Sequence, residues 1–286
     1  MTNTVTVPVL DPSEPIHGRS RRPGLRRLLL GVGILVTLLV ASFVVPAIFR
    51  IDPEAQYLSQ QLQPPSTAHL FGTDNLGRDV FVRCMFAARI DIPLALLGAL
   101  IPALIGCIAG LVAGVAGRWV DTGIMRLGDI LQSFPTYIFL VIIAFLVGPG
   151  VAAFLVAAAV IAWVNYARLV RSQVLVLREL DFVAAARLSG LGSRRVALRH
   201  VLPNAMPQVI VYFASDAVLS LTFLAGLSFL GLGIADPTPE WGLMALGGKE
   251  YLGVASWITV FPGLMIVLTG IAFALVSDGI DERTRV

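Results

Sequence analysis

Only one lysine occurs in the 286 residues, Lys249, and Glu250 follows it. A phosphate-cradling loop needs the spacing G-x-x-x-x-G-K-[ST], so this chain supplies no such nucleotide site. Cysteine is nearly as scarce. Cys84 and Cys107 are far apart with no CxxC spacing, which reads as two free thiols rather than a zinc or redox motif. The three histidines, His17, His69 and His200, do not fall at ligand spacing, so no protein metal site is indicated. HExxH and nucleophile-elbow patterns are missing as well. Charge is thin at 14% of residues, where a soluble domain has about a quarter. The basic residues form no continuous face with interleaved aromatics, which argues against a nucleic-acid partner.

What the chain does have is apolar surface. Hydrophobic residues make up 57%, and mean hydropathy is +0.84. Such a chain cannot cover itself with polar groups, so its outer face meets lipid. The first 24 residues are polar, rich in Pro, Ser and Arg, and read as a disordered tail. Arg19, Arg21, Arg22, Arg26 and Arg27 then precede an apolar run over 28–49. That run is longer than the ~15 residues of a signal-peptide core and lacks a small-x-small cleavage site, so it reads as a retained helix. Five more runs follow, over 92–115, 130–147, 151–169, 205–232 and 257–276. Each approaches the ~20 residues that cross a bilayer core. Gly148-Pro149-Gly150 marks a tight turn between the third and fourth. Spanning strands are excluded, because no series of alternating ~10-residue segments occurs. The expected fold class is all-α integral membrane, with six transmembrane helices.

Arginine placement orients the bundle. With the amino terminus inside, the inner segments hold the five tail arginines, Arg118, Arg126, Arg168, Arg171, Arg178, Arg187, Arg194, Arg195, Arg199, Arg283 and Arg285. Only Arg50, Arg78, Arg83, Arg89 and Lys249 fall outside. Sixteen against five supports both termini inside, because basic residues favour the cytoplasmic side.

The longest inner connection, 170–204, is also the most ordered in pattern. It carries Asp181 through Ala184, Ala185 and Ala186, a helix-forming stretch. Gly190 and Gly192 are expected to end that helix in left-handed conformation. Ser193 is expected to cap a second short helix through Arg194 and Arg195, and Leu202-Pro203 to close the segment. By composition alone it is equally an ordinary basic loop. The order of residues resembles the "EAA" loop of binding-protein-dependent ABC importer permeases: Ala185, Ala186, Gly190, Leu202 and Pro203 fall in register, while Ala184 stands where that family has Glu. Two further stretches resemble the dipeptide/oligopeptide/nickel branch, in particular its C-type permease. One runs from His69 through Gly72-Thr73-Asp74-Asn75-Leu76-Gly77-Arg78-Asp79. The other runs from Leu227-Ser228-Phe229 to Pro237, Pro239, Trp241, Gly242 and Met244, with Leu224 where the branch often has Glu.

The resemblance implies the type I, MetI-like importer transmembrane domain. It divides the chain into a cytoplasmic tail (1–24), a first helix with an external loop (25–90), a permease domain (91–278) and a short cytoplasmic tail (279–286). It implies that loop 170–204 docks on separate ATP-binding subunits, which hold the ATP and Mg, so that this chain is a cofactor-free, non-enzymatic permease. The partners it implies are a second, homologous B-type permease, two ATP-binding subunits and an external substrate-binding protein, in the bacterial cytoplasmic membrane. The implied cargo is a di- or oligopeptide, with nickel or another small solute as the alternative within the branch.

Three local features stay open to two readings. Asp74, Arg78 and Asp79 either pair with one another and stiffen the outer loop, or form, with Gly72, Thr73 and Gly77, a docking surface for the external binding protein. Gly106, Gly110 and Gly114 form a small-residue face that packs either within the chain or against a second permease. Asp216, deep in the fifth run, costs ~2.5–3.5 kcal/mol to insert. It either lines the pathway or is a hydrogen-bonded packing residue. An intramembrane enzyme would need a second catalytic group at its level, and no carboxylate lies within a helix there.

Overall fold

The computed structural model describes residues 22–49 and 52–284. The tail 1–21, Arg50 and Arg285 lie outside the described residues. Among the described residues eleven α-helices follow one another: α1 (Arg22–Phe49), α2 (Val80–Val115), α3 (Arg118–Gln132), α4 (Thr136–Val147), α5 (Val151–Ile161), α6 (Trp163–Leu177), α7 (Asp181–Leu188), α8 (Ser193–Val196), α9 (Leu202–Phe229), α10 (Trp241–Gly248) and α11 (Trp257–Thr284). No strand occurs among the described residues; Thr73 and Asp79 form an isolated bridge.

Five continuous helical stretches are long and apolar enough to span, and the bent pair α3–α4 makes up to six. The expected span 130–147 is corrected here. Residues 130–132 finish α3, and α4 begins only at Thr136, turned by 90°. Pro135 is the cause, because a proline drives the residue before it out of helical conformation. Its carbonyl then accepts the amides of Ile138 and Phe139 and starts α4. Residues 132–137 read Gln-Ser-Phe-Pro-Thr-Tyr, a polar break between apolar flanks. The turn at 148–150 forms as expected, with Gly148 at φ +92° and Gly150 at φ +117°.

Packing fixes the direction of every span. Arg27 on α1 reaches Glu282 at the end of α11 (2.5 Å), and Gly24 lies against Gly279. The Arg178 guanidinium reaches the Gly114 carbonyl at the end of α2. At the other end, Gly150 N–H donates to Leu232 O and the Trp257 indole donates to Thr73 O. The first and last described residues therefore share one end with α7 and α8. Loops 52–79 and 230–256 share the opposite end. Between α2 and α6 the helices approach until backbones touch. A Cβ on Gly106 would lie 2.4 Å from Trp163 O, and one on Gly110 2.5 Å from Ala167 O. Without a hydrophobic drive in lipid, such close contact is what small residues supply. The glycine face is thus filled within this chain. Outside this core the bundle is apolar: Phe145 is 87% exposed and Ile48 70%.

Candidate functional site

The connection 170–204 folds as a docked protrusion. Asp181 sits in the first turn of α7, where a carboxylate complements the helix dipole. Val183 and Ala186 point inward onto Val170, Val174, Val196 and Val201, while Asp181, Phe182, Ala184, Ala185, Arg187 and Leu188 point out. Leu188 is 90% exposed. Gly190 ends α7 as expected: at φ +81° its N–H meets Arg187 O, and Leu191 N–H meets Ala186 O.

Three details of this stretch are corrected. Gly192 is extended (φ −63°, ψ 149°), not left-handed, and it is Gly192, not Ser193, that precedes α8; Ser193 is the first helical residue and makes no capping bond. Pro203 does not close the segment. Helix continues from Ser193 to Phe229, widening to a π turn over Ala197–Val201 just before Leu202 and Pro203. The ring of a proline excludes the carbonyl four residues back, and a wider turn makes room for it.

Charge is divided over residues 168–199. Arg168 pairs with Asp129 and Arg171 with Asp121, both tying α6 to α3; Arg178 pairs with its neighbour Glu179. Among the described residues, Arg187, Arg194, Arg195 and Arg199 have no ion pair. The protrusion therefore offers an exposed leucine, two exposed alanines and four uncommitted cations.

At the opposite end, the motif around residue 74 is a knot. Thr73, Asp74, Arg78 and Asp79 are all buried. Asp74 Oδ1 accepts from the amides of Leu76 and Arg78, and its Oδ2 accepts from Arg78 Nε at 2.6 Å. Arg78 Nη1 reaches Asp236 at 2.8 Å. Burial works against the Arg78 charge, but Asp236 and Asp74 outweigh it and hold its pKa above the ordinary arginine value. Asp79 does not join this set, contrary to expectation. Its Oδ1 caps α2 at the Val82 amide, and its Oδ2 meets His69 Nδ1 at 2.8 Å. Its place is taken by Arg83, buried and donating to Pro53 O (2.7 Å) and Pro237 O (3.3 Å). Gly72 and Gly77 are left-handed and enclosed; a Cβ on Gly77 would lie 1.8 Å from Tyr57 O. These motif residues build the loop from within, and Tyr57, Leu58 and Leu70 are large apolar side chains on its exposed surface.

A buried element escaped the sequence reading. Asp91 lies one residue before the predicted start of the second span, and it is fully buried in α2. Its Oδ2 accepts the Trp241 amide at 3.0 Å, and the Trp241 indole donates to Cys84 O. Glu240 next to it accepts the amides of Gly242 and Leu243, and burial lifts its pKa above the ordinary glutamate value. A charge abutting an apolar run was the available signal. Asp91 ties α10 to α2 through the Trp241 amide, with its Oδ1 buried and unpartnered, while Glu240 caps α10 itself.

Asp216 is 5% exposed, inside the chain's own core, and accepts a hydrogen bond from the Tyr166 hydroxyl at 3.0 Å. A cavity of about 20 Å³ adjoins it, lined also by Gly98, Thr136, Phe154 and Ser220. Among the described residues no three His, Cys, Asp or Glu side chains cluster as metal ligands.

Residues 106–286 match the family described as binding-protein-dependent transport system inner membrane component. The chain is 35% identical to the dipeptide transport system permease protein DppC of Alkalihalophilus pseudofirmus, over 88% of this chain and 84% of that one. It is 35% identical to the nickel transport system permease protein NikC of Escherichia coli strain K12, over 81% and 84%. Among solved structures, a chain of the MetNI methionine ABC transporter in an inward-facing form matches with TM-score 0.53 at 18% identity, covering 70% of this chain and 96% of that one. At that identity the likeness concerns the fold, which is MetI-like.

Proposed function

The chain belongs to the binding-protein-dependent transport system inner membrane component family, in its dipeptide, oligopeptide and nickel branch, and we propose that it imports di- or oligopeptides by coupling α7–α8 to separate ATP-binding subunits. The observation that carries this reading is the division of the seven arginines over residues 168–199. Three are tied down near the bundle, and four stand free on the protrusion beside the exposed Leu188. Free cations around an apolar knob suit a partner groove with acidic or carbonyl-rich walls. Ala184, where the family has Glu, removes one polar contact and leaves the docking more apolar.

In this reading the protrusion and both termini are cytoplasmic, supported by the arginine bias and by the protrusion sharing one end of the bundle with Arg27 and Glu282. The opposite end, with Tyr57, Leu58 and Leu70 outermost, receives the external binding protein. ATP and Mg are held by two partner subunits, whose closure drives α7–α8 and, through Val183, Ala186 and Val196, the ends of α6 and α9. The bundle then opens outward, accepts cargo between this chain and a second, homologous permease, and returns inward on hydrolysis.

The test is purification from the native membrane in mild detergent. The expected result is recovery of an ATP-binding subunit and a second permease, with ATP hydrolysis stimulated by peptide-loaded binding protein. Stimulation by nickel and not by peptides would transfer the cargo to the alternative suggested by the nickel-permease relative. Recovery of the chain alone would refute the coupling.

A further inference from the structure

Helices α6 and α9 enter and leave the α7–α8 protrusion; the Tyr212 side chain of α9 hydrogen-bonds Asn165 of α6, and deeper in the bundle a buried polar contact joins the two helices, from the Tyr166 hydroxyl to Asp216. We propose that this contact is a latch that makes α6, the protrusion and α9 a single lever, so that Asp216 is a positioning residue and does not touch cargo. The proposal rests on the coupling reading above and assigns a task within it.

Burial and size speak first. Tyr166 is fully buried and Asp216 nearly so. The adjoining pocket, about 20 Å³, has room for about one water beside the carboxylate. Tyr166 is also fixed from other sides. Gly106 on α2 leaves room for it, since a Cβ there would come within 2.4 Å of the Tyr166 Cβ. The Tyr212 ring stands edge-on to it at 4.8 Å, one helical turn before Asp216 on the same face of α9. A hydroxyl so enclosed has one orientation in which it meets the carboxylate.

From the latch, contiguous apolar packing leads to the protrusion through Tyr166, Val170, Val174, Val183, Ala186, Val196 and Val201. The backbone on the α9 side is not a regular rod. It passes through the π turn at Ala197–Val201 and then Pro203, where a push on α8 can be absorbed instead of transmitted. A lateral tie above that turn compels α9 to follow α6. In an apolar interior the tie is firm, because sliding α9 by one residue strands the Asp216 carboxylate without its donor.

The conservative variants separate this from a pathway role. Tyr166→Phe keeps the ring and removes the donor; Asp216→Asn keeps an acceptor and removes the charge. In the complex carrying the ATP-binding subunits, Tyr166→Phe and Asp216→Leu are expected to raise ATP hydrolysed per cargo transported about tenfold, with cargo KM unchanged. Asp216→Asn is expected to stay near wild type, and Tyr166→Phe combined with Asp216→Leu to be no worse than either alone. In the chain purified alone in detergent, Tyr166→Phe is expected to speed amide hydrogen exchange over 181–201 about tenfold. A raised KM with intact coupling in Asp216→Asn would return Asp216 to the pathway and overturn the latch, as would unchanged exchange and coupling in Tyr166→Phe. Should the wild-type chain bring down no ATP-binding subunit, the importer reading falls, and the exchange measurement on the isolated chain still decides the latch.

Discussion

The two ends of this bundle both carry arginines and dispose of them in opposite ways. In the knot of 53–79 with 236–243, Arg78 and Arg83 are buried, and their hydrogens are spent on Asp74, Asp236 and backbone carbonyls. On the protrusion, Arg187, Arg194, Arg195 and Arg199 hold no ion pair among the described residues. The glycines divide likewise. Gly77 and Gly190 are both left-handed, yet Gly77 is pressed against Tyr57 and Gly190 has nothing within 4 Å. One end keeps a shape by satisfying itself. At the other end Arg27, Arg168, Arg171 and Arg178 are paired, while the protrusion leaves its cations unsatisfied by the chain, which suits a surface completed by a partner.

Substitutions can break or sharpen that contrast. Gly77→Ala combines a left-handed φ with a clash against backbone and is expected to cost on the order of 3 kcal/mol or more, with loss of the folded loop in thermal melts. Arg78→Leu strands the buried Asp74 and is expected to cost about 3 kcal/mol by the same melts. Asp236→Asn is expected to cost less than about 1 kcal/mol, because Asp236 is half exposed. Gly190→Ala meets no neighbour and is expected to cost about 1 kcal/mol, from backbone strain alone. Replacing Arg194 and Arg195 together by Ala is expected to leave stability within about 0.5 kcal/mol. The same change is expected to weaken retention of the ATP-binding subunit and flatten its salt dependence, read by pull-down across a salt series. Equal stability losses at Gly77 and Gly190 would dissolve the contrast.

Much of this was legible from residue order. The span count follows from apolar length, the turn at Gly148-Pro149-Gly150 from its residue types, and the Asp74–Arg78 pair from its spacing in a short loop. What escaped depends on distance along the chain or on averaging. Tyr166 and Asp216 are 50 residues apart, and nothing local marks them as partners. Asp91 fell just outside a window drawn around apolar residues, although its partner amide is Trp241, 150 residues away. The break at Pro135 is marked by Gln132, Ser133 and Pro135, but it is averaged away by the apolar residues on either side. At Gly192 and Ser193 the residue types allowed either cap, and the chain path decided between them.

Coupling requires that the α7–α8 protrusion face the cytoplasm and bear on an ATP-binding subunit. Leu188→Cys tests it directly, since Cys84 is buried and Cys107 half-buried and neither competes strongly for a reagent. In intact cells a membrane-impermeant thiol reagent is expected to leave this cysteine unlabelled, while in inside-out vesicles a short crosslinker joins it to an ATP-binding subunit. Labelling from outside the intact cell, or no crosslink to such a subunit, would contradict the account.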